Sequence, residues 1–346
     1  MTMNARIALS VVLAGSIMLA GCSDDDDDNN RDSGDVAVTQ SVLDIAVANE
    51  NTTTLEAAVL AADPSIAALL DGDDPITVFA PTDAAFEALL SDLGIDAQTL
   101  LDDTALLNAV LPYHVLATSV GAVSSGAAIS VAQSPVPDNL VATVNGKDVA
   151  LSISQEGGED VLYVNTSRVT VTDVEATNGV VHLIDKVLIP PPSDLSDTDS
   201  TIAEIVTTLA NATDAEFTIL LAALQTTGAA SLLNAASDPN ATLTVFAPTD
   251  AAFQALLNET GMTQNDLLND PNLPTILSQH ILGQKIGSLT AYASNGSTVT
   301  TLASNNLNVD IQNNALVIEG STVTEADVEA SNGVIHVIDK VIATVE

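Results

Sequence analysis

The chain has few of the residues on which disulfide-rich, nucleic-acid-binding or aromatic-rich proteins depend. Its 346 residues include one cysteine, no tryptophan and only 2% aromatic residues. One cysteine excludes an internal disulfide, so stability must come from packing of the aliphatic residues. Seven lysines and arginines stand against 46 aspartates and glutamates, a formal net charge of -39. Because this charge repels phosphate backbones, the sequence predicts no nucleic-acid partner.

The N-terminal residues have the order of a secretory leader. Arg6 precedes an apolar run over residues 7–20, and the run ends in Leu-Ala-Gly-Cys at Cys22. The pattern predicts a signal segment over residues 1–22. Its ending resembles the lipobox of bacterial lipoproteins, which implies lipidation of Cys22 and a membrane anchor. An ordinary signal peptide with an incidental cysteine is the alternative.

The residues after this leader are strongly acidic. Residues 23–30 read SDDDDDNN, a run that cannot bury enough apolar surface to order itself. We therefore expect a solvated tether over residues 23–35. Such a tether would hold a folded part away from a membrane.

Three sequence blocks occur twice in the same order. TVFAPTDAAFEALL at 77–90 returns as TVFAPTDAAFQALL at 244–257, Tyr113-His114 corresponds to Gln279-His280, and NGVVHLIDKV at 178–187 returns as NGVIHVIDKV at 332–341. Blocks so widely spaced indicate a duplicated domain rather than a solenoid. We predict domain 1 over 36–189, a proline-rich linker over 190–196 and domain 2 over 197–346.

Each copy is predicted to be helical in its first half and extended in its second. Apolar residues recur at helical spacing over 42–47, 55–61 and 66–70, and again over 202–209 and 217–224. Segments rich in β-branched residues follow at 140–144, 149–153, 161–164, 169–174 and 180–189. The last of these is apolar on both faces, which predicts a strand covered on both sides.

The phrase at 77–90 predicts a corner between a strand and a helix. Residues 77–80 are strand-like, Pro81 ends the strand, and Thr82 can cap a helix whose first turn Asp83 favours electrostatically. Phe79 lies among apolar neighbours, which favours a core position over a sugar-stacking platform. The residues predicted to form this and the C-terminal motif in the two copies are Phe79, Pro81, Thr82, Asp83, His182, Asp185, Phe246, Pro248, Thr249, Asp250, His336 and Asp339.

Together these blocks resemble the fasciclin-type domain, over nearly all of the chain after the leader. The resemblance implies an α+β fold, with each domain a wedge of two β-sheets and helices packed alongside. It also implies adhesion at a cell surface or matrix, with no enzymatic activity and no cofactor. Candidates for partner binding are Tyr113, His114 and His280; Gln279 replaces the tyrosine of the motif, which favours domain 1 for that role.

The histidines and lysines within the blocks permit more than one interpretation. A metal site needs a third ligand beside each histidine, and no cysteine or further histidine is available, so no metal is predicted. Core or near-core imidazoles bonded to backbone groups or to carboxylates are the favoured alternative, with a surface recognition role for His114 as another. Lys186 and Lys340 follow Asp185 and Asp339, which predicts structural ion pairs. No nucleophile elbow or phosphate loop occurs, so no enzyme is predicted.

The leading hypothesis is a lipid-anchored cell-envelope protein that mediates cell or matrix adhesion. Its partner would be a cell-surface or matrix protein or polysaccharide, and its location the outer membrane, facing the periplasm or the cell surface. The alternatives are a periplasmic binding module for a lipid, glycan or small ligand, and an envelope spacer without a specific ligand. The acidic surface favours solubility in a saline medium over attraction to basic proteins or to cation-bridged polysaccharide.

Overall fold

The computed structural model describes residues 38–191 and 199–343. The leader with Cys22, the acidic tether to residue 35 and the linker residues 192–196 lie outside these ranges, so the predictions for them stay predictions. Contacts join the described residues from Val38 onward into one unit.

The helices of domain 1 are α1 (Val42–Ala48), α2 (Thr53–Ala61), α3 (Pro64–Leu70), α4 (Asp83–Leu93), α5 (Ala97–Asp102), α6 (Thr104–Val110), a 3-10 helix (Leu111–His114) and α7 (Ser125–Ala132). The first four form where the apolar spacing and the strand-to-helix corner predict them, and the later ones were not predicted. The strands are β1 (Ile76–Pro81), β2 (Leu140–Ala142), β3 (Asp148–Glu156), β4 (Glu159–Val164), β5 (Ser167–Ala176) and β6 (Gly179–Ile184). The segment predicted as a strand over 180–189 is shorter than expected, because Asp185 turns the chain at its end.

Domain 2 has a similar order of elements, with one additional strand, β8, and its 3-10 helix before α10. Its helices are α8 (Ile202–Ala210), α9 (Thr218–Leu224), a 3-10 helix (Thr227–Ala229), α10 (Ala230–Ser237), α11 (Asp250–Thr260), α12 (Gln264–Leu268), α13 (Leu273–Ser278) and α14 (Ser288–Ala293). Its strands are β7 (Leu243–Pro248), β8 (Ile281–Leu282), β9 (Ser297–Thr300), β10 (Asn306–Gln312), β11 (Ala315–Ile318), β12 (Ser321–Ala330) and β13 (Gly333–Ile338). Both domains are therefore α+β, as predicted.

The described strands of each domain form one curled sheet. The strand order is β1-β6-β5-β4-β3-β2 in domain 1 and β8-β7-β13-β12-β11-β10-β9 in domain 2. β1 and β6 run parallel, and the other pairs in domain 1 are antiparallel. Register shifts in β5, between Val169 and Val174, let this long strand pass from β4 to β6. The two sheets implied by the resemblance are thus two halves of one bent sheet.

The curled sheet divides the interior of domain 1 into two cores. One core lies between the helices and the sheet and contains Val181 and Leu183 of β6. The other lies inside the curl and contains Phe79 and Ile184. β6 therefore has apolar side chains packed on both of its faces, which confirms the prediction of a strand covered on both sides.

No single helix among the described residues is long and apolar enough to cross a membrane. One pair bent by 77°, residues 218–224 with 227–237, passes that test by length and composition only. Ile219, Leu220 and Ala223 of this pair belong to the core of domain 2.

Candidate functional site

The corner between β1 and α4 joins two helix N-termini through one carboxylate. Thr82 caps α4 by accepting a hydrogen bond from the backbone N–H of Ala85 at 3.3 Å. Asp83 reaches across to α2, where it accepts hydrogen bonds from the N–H of Thr54 at 2.7 Å and the hydroxyl of Thr53 at 2.8 Å. Burial acts to raise the pKa of Asp83, but these hydrogen bonds outweigh it and hold the pKa below its ordinary value.

The same clamp occurs in domain 2. Thr249 caps α11 through the N–H of Ala252, and Asp250 accepts from the N–H of Thr218 and of Ile219 at 3.1 and 2.9 Å. Pro81 and Pro248 are the last residues of β1 and β7. The cap follows from the Thr-Asp sequence, whereas the link between two helices requires a contact about thirty residues apart, which no local pattern indicates.

The first histidine of each copy joins a helix end to the segment after the last strand. His114 Nε2 accepts the N–H of Leu188 at 2.9 Å, so its Nδ1 carries the proton and donates to the carbonyl of Val110 at 2.9 Å. His280 makes the same two bonds, with the N–H of Ile342 and the carbonyl of Ile276. Burial lowers the pKa of both histidines to about 4, although the hydrogen bond to the carbonyl acts in the opposite direction.

The second histidine of each copy packs against the phenylalanine of the corner. His182 stacks on Phe79 with ring centroids 5.7 Å apart, and His336 stacks on Phe246 at 5.8 Å. His182 accepts the N–H of Asp173 and donates to the carbonyl of Val123. Burial lowers the pKa of His182 and of His336.

All four histidines therefore use both ring nitrogens on backbone groups, since His336 bonds in the same way to Asp327 and Ile286. None of the four has a ring nitrogen left to exchange a proton with a substrate in this arrangement. Within residues 38–191 and 199–343 there is also no group of three or more histidine, cysteine, aspartate or glutamate residues that could hold a metal ion.

Tyr113, a predicted candidate for partner binding, lies in the interior of domain 1. Its hydroxyl donates to the carbonyl of Asp148 at 2.8 Å and accepts from Asn165 at 3.1 Å. Burial raises its pKa to about 12. His114 and His280 are equally buried, and so is Gln279. Side chains in these positions offer a partner no direct contact in this conformation, so partner binding at Tyr113, His114 and His280 stays a prediction without support from their placement.

The predicted ion pairs between neighbouring aspartates and lysines do not form among the described residues. Asp185 instead accepts the N–H of Arg168 at 2.8 Å, and Asp339 accepts the N–H of Thr322 at 2.7 Å. Lys186 donates to the carbonyl of Asn314 in domain 2 at 2.9 Å. The prediction was wrong because an aspartate at a strand end finds unpaired backbone donors close by, which are better placed than the side chain of the next residue.

The Asn-Gly pair at the start of β6 is a structural site that sequence reasoning did not single out. Asn178 accepts the N–H of Val42 at 2.8 Å and donates to the carbonyls of Leu70 and Gly72. A Cβ on Gly179 would lie 2.1 Å from the carbonyl oxygen of Ile76. Asn332 and Gly333 repeat these contacts in domain 2. The recurrence of the Asn-Gly pair in both copies is the sequence feature that could have indicated this site.

Direct hydrogen bonds join the two domains. Asn139 of domain 1 donates to the carbonyl of Ala293 at 2.7 Å. Asn295 of domain 2 donates to the hydroxyl of Ser154 and the carbonyl of Ile153, at 2.9 and 3.2 Å. Together with the bond from Lys186, these contacts hold α14 and the β10–β11 turn of domain 2 against β3 and the end of β6 in domain 1.

Comparison of the sequence with known protein families gives a match in each of the two domains. Residues 50–190 and 215–344 match the sequence model of the Fasciclin domain. This chain belongs to the fasciclin domain family. The predicted bounds 36–189 and 197–346 begin earlier than the matched ranges and stay predictions. Fasciclin domains are known from adhesion proteins, and the family is not an enzymatic one.

Relatives of this fasciclin protein come from animals and bacteria. It is 31% identical over 277 residues to transforming growth factor-beta-induced protein ig-h3 of Sus scrofa, covering 79% of this chain and 35% of that protein. It is 35% identical over 151 residues to protein sll1483 of Synechocystis, covering 44% and 74%. It is 31% identical over 183 residues to cell surface glycolipoprotein MPB83 of Mycobacterium bovis, covering 51% and 74%. The chain thus spans about a third of the length of ig-h3.

A solved structure of a FAS1 domain pair from the insect cell adhesion molecule Fasciclin I also matches. Its TM-score is 0.36 at 19% identity, and the match covers 84% of this chain and 96% of that one.

Proposed function

We propose that this protein is a lipid-anchored adhesion protein of the cell envelope. The observation that carries the proposal is the pair of fasciclin domains held together by direct contacts. The leader ending in Cys22 supports an anchor, and the relative MPB83 is named a cell surface glycolipoprotein. The partner would be a cell-surface or matrix protein or polysaccharide. The place would be the outer membrane, facing the periplasm or, as adhesion requires, the cell surface.

The chemistry of the described residues supports binding rather than catalysis. The four histidines are held by backbone groups on both ring nitrogens, and the carboxylates of Asp83, Asp185, Asp250 and Asp339 accept backbone N–H groups. These contacts give the residues a role in stabilising the fold, and we therefore propose a binding role for the protein rather than an enzymatic one.

Attachment of whole cells tests the proposal. A strain lacking the protein should attach less to its own extracted matrix than the parent, and the full chain should restore attachment. A Cys22→Ser chain should not restore it, because the protein would no longer be anchored. Protease added to intact cells should remove the anchored protein. Undiminished attachment of the deletion strain, or full protection from protease, would exclude adhesion as the function.

A second candidate function, binding of an apolar small ligand, is favoured by an apolar pocket in domain 1. The pocket has a volume of about 160 Å³, and every residue that lines it is apolar. Phe86, Leu89 and Leu106 line it, and Leu93 and Ile189 are about half exposed at its mouth. Native mass spectrometry of protein purified from its own cells tests this candidate. A bound lipid that is absent from a Leu89→Trp variant would support it, and an empty protein would dismiss it.

A further inference from the structure

A polar cleft lies between the two domains. One wall is the end of β3 and part of β4 in domain 1, and the other is the end of β10 with Asn313 of the following turn and the segment after α14 in domain 2. Its volume is about 660 Å³, which is within the range of roughly 300–1,000 Å³ typical of ligand sites. Ligand sites occur preferentially where two domains meet. The side chains that matter most are those of Gln155, Glu156, Tyr163, Asp310, Gln312 and Asn313.

Hydrogen bonds fix the two walls relative to each other. Asn295 lies at the cleft and bonds to both domains, because its Nδ2 donates to Ser154 and its Oδ1 accepts the N–H of Ile311 at 2.8 Å. The β10–β11 turn is held from domain 1 by Lys186, which donates to the carbonyl of Asn314. The cleft is therefore a feature of the tandem pair, and neither domain contains it alone.

One carboxylate of the cleft is held in place by its neighbours. Glu156 accepts the hydroxyl of Tyr163 at 2.5 Å and lies 3.4 Å from Nε of Arg168. A fixed carboxylate loses little conformational freedom when it accepts a further hydrogen bond from a ligand.

The composition of the cleft distinguishes between kinds of ligand. Gln155, Gln312 and Asn313 are exposed amides with both donors and acceptors, although one N–H of Gln155 is already donated to Asp160, while Glu156 and Asp310 offer acceptors. No described lysine or arginine lines the cleft, and the nearby Arg168 is already paired with Glu156, so an acidic ligand would meet the carboxylate of Asp310 without a free counter-charge. The charged side chains of a basic peptide carry only donors, so only its backbone carbonyls could accept from the amide N–H groups of the cleft. Sugar hydroxyls donate and accept, and so they match the whole set.

We propose that the interdomain cleft binds a neutral oligosaccharide through its hydroxyl groups. The proposal rests on the proposed function, since it names the class of partner that the adhesion protein would hold. It also gives a reason for two domains in contact, because the site needs a wall from each.

The test uses the full chain with the substitution Cys22→Ser, so that the protein remains unlipidated. Three probes are compared: neutral di- to tetrasaccharides, the matching uronate-containing oligosaccharides, and a lysine-rich peptide. The variant is Gln155→Ala with Gln312→Ala, two exposed side chains whose loss leaves the core unchanged. The control is Gln254→Ala, an exposed glutamine on α11. Melting curves verify that every variant folds.

The expected result is saturable binding of at least one neutral oligosaccharide. The double variant should bind it about tenfold more weakly, the effect of losing one or two hydrogen bonds, and the control should bind it normally. Three results would each overturn the proposal: no neutral oligosaccharide binds, the double variant binds as well as the parent, or the cleft variants lose binding of the acidic or basic probe instead. Adhesion of the same preparations to extracted matrix separates the two proposals. If the double variant still adheres like the parent, the oligosaccharide site in the cleft is rejected while adhesion as the function stands.

Discussion

His114 and His280 each connect a helix end with the segment that follows the last strand of their domain. Each ring accepts one backbone N–H and donates to one carbonyl, which requires the neutral form with the proton on Nδ1. Protonation would convert the acceptor nitrogen Nε2 into a donor that faces a backbone N–H, and it would leave a charge in the core. Burial therefore lowers both pKa values to about 4.

This shift predicts a pH dependence of stability that a variant can isolate. The folded pKa of His280 is about 4 and its ordinary value is 6.5, so the unfolded chain takes up the proton first as the pH falls. The stabilisation is complete above pH 6.5 and is lost progressively down to about pH 4. His280→Gln is less stable at pH 7, and its gap to the parent in unfolding free energy should narrow by roughly 3 kcal/mol by pH 4.

Urea unfolding of the two proteins at four pH values gives this gap. Carboxylates such as Asp83 and Asp96 also have lowered pKa values, so their contribution to stability is lost as the pH falls below their ordinary value of 3.8. That range lies below the interval from pH 6.5 to pH 4 in which His280 acts. A gap that stays constant from pH 7 to pH 4 would show that His280 is not buried in the neutral form.

Gly179 gives a second prediction at this scale. A Cβ there would lie 2.1 Å from the carbonyl oxygen of Ile76, which is backbone and cannot move aside without disturbing β1. Gly179→Ala should lower the unfolding free energy by about 2–4 kcal/mol. Gly126 in α7 has open space at its Cβ, so Gly126→Ala should be neutral or up to about 1 kcal/mol stabilising. Equal stability of the two variants would contradict the close approach of β6 to β1.

Residue roles were only partly predictable from the sequence. The core position of Phe79 followed from its apolar neighbours, and the structural role of the imidazoles followed from the lack of further ligands. The partners of Asp185 and Asn178 did not follow, because they lie 17 residues away or more on other elements. A pattern along the chain gives the type of side chain at each position but not what lies opposite it in space.

Among the elements, the carboxylate of Asp83 links the start of α4 to the start of α2. Asp83→Asn removes the charge that both helix N-termini favour and should cost about 1 kcal/mol of unfolding free energy. Glu87→Gln removes one charge from the exposed face of the same helix and reproduces the residue at Gln254, so it should change stability by less than about 0.5 kcal/mol. Thermal and urea unfolding of both variants provide the comparison. If they proved equally stable, the clamp would contribute nothing beyond surface charge.

At this scale the sequence predicted most of the fold. The helices at 42–47, 55–61 and 202–209 were correct within a few residues, because their apolar spacing is regular and their N-caps are polar. The strand at 180–189 was too long, because Val187 and Leu188 are buried like strand residues although the chain has already left the sheet. The curl of the sheet depends on bulges in β5 and β12, where no glycine or proline marks the position.

For the molecule as a whole, Asn295 is the residue that couples the domains most directly. Asn295→Ala removes its hydrogen bonds to Ser154 and Ile153 and should cost about 1–2 kcal/mol. We expect the parent to unfold in one calorimetric transition and the variant in a broader or split one, since the domains would lose part of their coupling. Asn265→Ala, on the exposed face of α12, is the control and should unfold like the parent. A variant with the transition of the parent would show that the domains unfold independently of these bonds.

Duplication was evident from the sequence, but the contact between the copies was not. The contact is made by Asn139, Lys186 and Asn295. Asn139 and Asn295 lie outside the repeated blocks, and Lys186 lies in a repeated block but bonds to the other domain from domain 1. An interface that occurs once leaves no repeat to detect. The interdomain cleft could not be predicted from the sequence, because it also occurs only once.

Binding of the purified protein to surfaces of its own source organism tests the central claim most directly. Residues 36–346 are applied to intact cells and to extracted matrix, with calcium and with chelator, beside an unrelated protein of matched charge. We predict saturable binding above that control, weakened by the Gln155→Ala and Gln312→Ala double variant. Binding no greater than that of the charge-matched protein, under both conditions, would contradict adhesion as the function of this tandem fasciclin pair.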